Sequence, residues 1–164
     1  MKPADDAFRE RVLGILQDLV RIDTTNPPGN EMACVDYLVP LLQRAGVETR
    51  VIEPSPGRGN LIARVRGSGA RRPLMLMGHL DVVAAVESAW KHPPFAGVLE
   101  DGYLWGRGTT DNKHMVAIAA TILMALAEGQ VRLSRDVLLA ATADEEHGGR
   151  WGMAWLAEHD PEIR

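Results

Sequence analysis

The chain is short of the features that would staple it, insert it in a bilayer or draw it to nucleic acid. It has one cysteine, Cys34, in 164 residues, which excludes an internal disulfide and fits a reducing compartment. Positive charge is not in surplus. Eighteen Lys and Arg face 22 Asp and Glu, a formal net charge of −4, whereas nucleic-acid binding favours a basic surface. Long apolar runs are missing too. The most apolar stretch, Met115 to Ala127, is too short to span a bilayer and reads as a buried helix. Asp5, Asp6, Arg9, Glu10 and Arg11 stand where a leader peptide would be apolar. A cytoplasmic protein without membrane or nucleic-acid partners is expected. There is no internal repeat, low-complexity tract or convincing linker.

What is present suits one domain with a real core. Hydrophobic residues make up 46% and charged residues 24%, ordinary values for a globular chain. Phe8, Val12, Ile15, Leu16 and Leu19 recur at helical spacing. Asn30 can cap a second helix running to about Ala45, which Pro40 should kink or shorten. Glu48 to Ile52 reads as a short strand, and Leu61 to Arg66 alternates like a strand with one wet face. Pro73 to Met77 is apolar throughout, like a strand covered on both faces. Asp101-Gly102 lies between two extended pieces, a hairpin signal. Asp111 to Glu128 reads as a long helix stopped by Gly129. Asp136 to Ala143 is a further buried strand, and Trp151 to Glu158 a last amphipathic helix. Strands alternating with helices imply an α/β sandwich with a mixed sheet between helical layers.

Polar residues collect where ligands bind in such sheets, beyond strand ends. His79 and Asp81 follow the strand PLMLM. Two residues apart in extended chain, they point the same way. Asp81 can accept the second imidazole N–H of a metal-bound His79. From so short a pattern alone, a strand-end histidine bonded locally is the favoured reading. Asp111 ends W-G-R-G-T-T-D and is either a helix N-cap or a ligand. The segment lacks both G-x-x-x-x-G-K-[ST] and the third glycine of G-x-G-x-x-G, so it is no phosphate loop. ATADEEHGG places three carboxylates at the end of an apolar strand. Two like charges ~4 Å apart repel by about 4 kcal/mol at an effective dielectric of ~20. Either the acids splay into water or a cation is expected between them. One His, one Asp and a Glu pair at such positions are suited to Zn²⁺ or Mn²⁺. One Glu would then hold metal while its neighbour moves a proton.

The motifs M-G-H-L-D-V-V, W-G-R-G-T-T-D-N-K and A-D-E-E-H-G-G, in this order, resemble the M20 family of di-metal aminopeptidase-like hydrolases. The resemblance implies a three-layer α/β sandwich with a mixed, mostly parallel sheet of the zinc-aminopeptidase type. It implies two divalent ions, zinc being expected and manganese or cobalt permitted. His79 would be a ligand of one ion, Glu146 of the other, and Asp111 would bridge them. Asp81 would orient His79, and Glu145 would act as general base. The Asp111-Asn112 peptide would be cis. The activity implied is hydrolysis of an amide in a small peptide or N-acyl amino acid, of the aminoacylase or carboxypeptidase type.

Ala84 replaces a Pro, and His114 a Gly, that the family often has; His114 is expected on the helix surface or in packing. Family members carry five metal ligands and a lid domain that usually makes a dimer. Three ligands and no lid fall within residues 1–164. The expectation is therefore the N-terminal portion of a catalytic domain, incomplete at its C-terminus and inactive alone. A non-catalytic binding or assembly piece and a two-metal phosphoesterase are the alternatives.

Overall fold

The computed structural model describes residues 6–163, so Asp5 and Arg164 of the sequence reading lie outside the described residues. Helix α1 spans Asp6–Arg21 and buries Ile15, Leu19 and Val20. Its acidic first turn and basic last turn complement the helix dipole. Helix α2, Glu31–Arg44, is not shortened by Pro40 and continues one turn beyond it. Pro40 and the residue four before it, Asp36, are both exposed. The carbonyl that loses its partner there faces water, while Cys34, Val35, Leu38 and Leu42 hold the other face in the core.

One sheet runs β1 (Glu48–Ile52), β2 (Asn60–Val65), β6 (Val137–Thr142), β3 (Leu74–His79) in spatial order. The sheet is mixed, but parallel pairing is the minority among the described strands. The β1–β2 and β2–β6 ladders are antiparallel and only β3–β6 is parallel. A short loop joins β1 to β2 and permits only the antiparallel arrangement. The chain from β3 to β6 passes through a hairpin and helix α3 (Lys113–Glu128), the long crossover that a parallel pair needs.

Helices α1, α2 and α3 (Lys113–Glu128) cover one face. Leu61, Ala63, Leu139 and Ala141 point into that core with Leu19, Leu38 and Leu123. Alternate residues Ile62, Leu138 and Ala140 point the other way, against Leu156 of α4 (Met153–His159). The three layers follow from this period-two division of each strand.

Two strand expectations change. β2 has no wet face over its first four residues, because it is an inner strand with helices on both sides. β3 is not covered on both faces: it is an edge strand among those described, with Leu74 46% and Met77 50% exposed. β4 (Val98–Glu100) and β5 (Tyr103–Trp105) form the expected hairpin, with Asp101 and Gly102 both at positive φ. At the end of α3, Gly129 keeps a right-handed conformation and Gln130 takes the left-handed one, φ 46°. A Cβ at Gly129 would lie 2.9 Å from the Ala125 carbonyl oxygen. Among the described residues no helix is long and apolar enough to cross a membrane.

Candidate metal centre

The parallel register of β3 on β6 pairs His79 with Thr142. Both strands thus end at one level, with His79 beside the turn that follows β6. After Thr142 the chain enters Asp144 in the left-handed conformation (φ 66°) and makes one 3₁₀ turn, Glu145–His147. Asp111 arrives from the opposite direction, at the start of α3. Gly78 lets α3 approach this closely, since a Cβ there would stand 2.8 Å from Asn112 Oδ1 and 2.9 Å from Val116 Cγ2. The Asp111-Asn112 peptide is cis. Helix α3 starts at Lys113 and Asn112 occupies the N-cap position, so Asp111 is not the cap.

His79, Asp111 and Glu146 offer one ligand atom each, all within 4.8 Å of one another. His79 Nε2 lies 3.0 Å from Asp111 Oδ1 and 3.7 Å from Glu145 Oε2. His79 Nδ1 donates to the Asp81 backbone carbonyl at 3.0 Å, with Asp81 Oδ1 at 3.4 Å. The closer of the two Asp81 contacts to the imidazole is thus the one from its main chain. Its buried carboxylate accepts N–H bonds from Glu145 at 3.0 Å, Glu146 at 3.0 Å and the Asn26 amide at 2.8 Å.

Burial disfavours a charged His79, but hydrogen bonds to Asp81 and Asp111 outweigh it and push its pKa up to about 9. Burial and then the negative charge of Asp111 raise Glu146. Burial also acts to raise Asp81, yet its bonds from His79, Asn26 and the two backbone amides hold it below the usual carboxylate range. Both ring nitrogens of His79 face only acceptors, and a glutamate leans towards its neutral form. This donor set fits a divalent cation, which relieves both strains at once. Glu145 is largely exposed, its carboxylate free to reach a bound molecule.

The site rests on residues that sequence reading missed. Arg58 is buried and donates to Glu31 Oε1 at 2.7 Å, Asp144 Oδ1 at 2.9 Å, Asn26 Oδ1 at 3.2 Å and the Pro28 carbonyl at 2.6 Å. Lys113, fully buried, donates to the carbonyls of Leu19 and Ile22. Arg58 stands alone in sequence, far from its partners, whereas Lys113 closes the W-G-R-G-T-T-D-N-K motif, whose spacing does not show that the ammonium is buried against α1. His114 is half-buried on α3, its Nδ1 without a partner among the described residues, and Ala84 is exposed.

The family model for peptidase family M20/M25/M40 matches residues 75–164. The chain belongs to this family. It is 37% identical over 150 residues to a succinyl-diaminopimelate desuccinylase of Methylobacterium radiotolerans, covering 88% of this chain and 37% of that protein. It is 31% identical over 147 residues to an N-formyl-4-amino-5-aminomethyl-2-methylpyrimidine deformylase of Halalkalibacterium halodurans, covering 87% and 34%. The chain thus spans about a third of the length of these curated relatives. Human carnosine dipeptidase 1 shares the fold with a TM-score of 0.78 at 21% identity, over 93% of this chain and 36% of that one. A dinuclear metal-binding M20 peptidase of Bacillus subtilis does so with a TM-score of 0.68 at 19% identity, over 94% and 40%.

Proposed function

We propose that this M20-family chain contributes to metal-dependent hydrolysis of an amide bond in a small peptide or N-acyl amino acid. The observation that carries the reading is the convergence of His79, Asp111 and Glu146, with Glu145 beside them. The relatives support it: a desuccinylase, a deformylase and a dipeptidase all point to nitrogen as the leaving atom.

His79, Asp111 and Glu146 are the residues that would hold divalent ions. Zinc is the expected metal, and manganese or cobalt also suit these ligands. Such ions polarise a carbonyl and acidify a water at neutral pH. Glu145 takes the proton from the attacking water and later delivers it to the leaving nitrogen. Its exposure, unlike that of His79, suits a group that must meet both. Asp81 holds the imidazole in one orientation and fixes the main chain that carries both glutamates. Beside Asp111 a pocket of about 260 Å³, lined by Trp90, Leu104, Trp105 and Arg107, offers room for part of a substrate.

Three protein donors cannot close two metal sites, since even one catalytic zinc takes three, with water in the fourth position. The 164 residues alone are therefore expected to bind Zn²⁺ weakly and turn over little. Calorimetry showing two tight sites on this chain by itself would contradict that. The functional test uses the polypeptide of the whole reading frame with dipeptides and N-acyl amino acids. Glu145→Gln should abolish hydrolysis while metal stays bound, and His79→Ala should weaken both. Tight metal binding without hydrolysis of either substrate class would favour the non-catalytic reading.

A further inference from the structure

The buried polar network beneath the Glu145–Glu146 turn has one centre. The Arg58 guanidinium, 8% exposed, bonds four acceptors on three separate segments. These are Glu31 at the start of α2, Asn26 and Pro28 in the loop after α1, and Asp144 at the end of β6. Glu31 Oε1 also accepts the backbone N–H of Asp144 at 3.1 Å, and Asp144 Oδ2 that of Trp151 at 3.1 Å. Asp144, at φ 66°, is thus held at its amide and at both carboxylate oxygens.

From Asn26 the chain of contacts goes on to the metal-binding turn. The Asn26 carbonyl oxygen accepts from Arg58, which leaves its Nδ2 to donate to Asp144 Oδ1 at 3.1 Å and Asp81 Oδ2 at 2.8 Å. An amide has one acceptor end and one donor end, so Arg58 at the acceptor end and the two carboxylates at the donor end fix the same orientation. The same Asp81 oxygen receives the Glu146 N–H, and the other receives that of Glu145. Three buried carboxylates, Glu31, Asp81 and Asp144, share this region. Only a group with a planar fork of donors can serve the acids on two segments and orient the amide together.

We propose that Arg58 is a positioning residue for the Glu145–Glu146 turn, acting through Asp144 on one side and through Asn26 and Asp81 on the other. Its functional consequence rests on the metal-site reading; its geometric consequence does not. A residue that merely stabilises the fold would loosen all parts of it alike. A positioning residue loosens the turn selectively.

The test is amide hydrogen exchange on the intact, metal-free protein, with Zn²⁺ affinity as a second readout. In Arg58→Met, exchange at Glu145 and Glu146 should accelerate at least tenfold (order of magnitude) more than at Ala140 in β6. Zn²⁺ affinity should fall by about 10- to 100-fold, as for other groups that orient ligands. Arg58→Lys, which keeps the charge and loses the fork, should fall between. Asn26→Ala, which cuts the path to Asp81 but leaves the Arg58 ion pairs, should repeat the selective acceleration and carries the test where Arg58→Met does not fold. Exchange at Glu145 and Glu146 that is unchanged, or that rises only in step with Ala140, overturns the proposal. If the wild-type protein takes up no Zn²⁺, the metal reading fails and the positioning role is still judged on the two amides.

Discussion

The carboxylate of Asp81 accepts the backbone N–H of Glu146 at 3.0 Å, from 65 positions earlier in the chain. A residue read from sequence as a partner for an imidazole is, in three dimensions, the anchor of the turn that carries both glutamates. Its own pair with His79 is the longer contact, 3.4 Å.

Asp81→Asn separates these two duties. An amide can still face His79, but its NH₂ would meet the N–H of Glu145 or Glu146 with no acceptor to offer. The variant is expected to fold and to bind Zn²⁺ about 10- to 100-fold more weakly. Calorimetry on the intact protein measures this, and an unchanged affinity would contradict the anchoring role.

Lys113 joins the end of α1 to the start of α3 through the Leu19 and Ile22 carbonyls, at 2.8 and 2.7 Å. Burial lowers its pKa, yet the two bonds satisfy carbonyls at the C-terminal end of α1. Lys113→Met removes a charge that is costly to bury, but it leaves the Ile22 carbonyl without this donor and the Leu19 carbonyl with only the Ile22 N–H at 3.2 Å. A net loss of about 2 kcal/mol in urea unfolding is expected. A more stable variant would show that desolvation of the ammonium outweighs its bonds.

Gly78→Ala tests how closely α3 must approach β3. The added methyl would meet Asn112 Oδ1 and Val116 Cγ2 within 3 Å. Destabilisation of about 1–3 kcal/mol is expected, with weaker Zn²⁺ binding as Asp111 is pushed from His79. Stability and affinity equal to wild type would mean that this approach is not tight in solution.

Cys34 is fully buried, and burial pushes its pKa from 9.0 up to about 11. At pH 8 its alkylation should be slow and should follow unfolding, rising with urea. The folded state holds this proton more tightly than the unfolded one. The thiol's contribution is complete below pH 9 and is lost as pH rises from 9 towards 11. Rapid modification of the native protein at pH 8 would show that the thiol is reached without unfolding.

Much of the secondary structure was legible because it depends on local spacing. Ile15 and Leu19 recur on one face of α1, and Asp101-Gly102 supplies the positive φ values of the hairpin. The errors lie where neighbours distant in sequence decide. Leu61–Arg66 reads as half wet, since alternation carries no information about a layer packed on the outer face. Pro73–Met77 reads as buried, since apolar content does not say that β3 is an edge among the described strands. Pro40 reads as a breaker, although burial of Cys34, Leu38 and Leu42 holds α2 together around it.

For the site the division is similar. By itself the sequence determined which side chains with metal-binding chemistry exist, in which ordered motifs, and through those motifs the family. His79, Asp111 and the Glu145–Glu146 pair could be singled out because ligand chemistry sits in the side chain, while the choice of Glu146 as the ligand came from the family resemblance. Only the tertiary structure decided that their donor atoms converge within 4.8 Å, since that depends on the β3–β6 register and the closeness of α3 to Gly78. It also decided that Asn26, Glu31, Arg58 and Asp144 form the ground beneath them. Hydrogen bonds and ion pairs depend on distance through space, and these partners lie 27 to 118 positions apart.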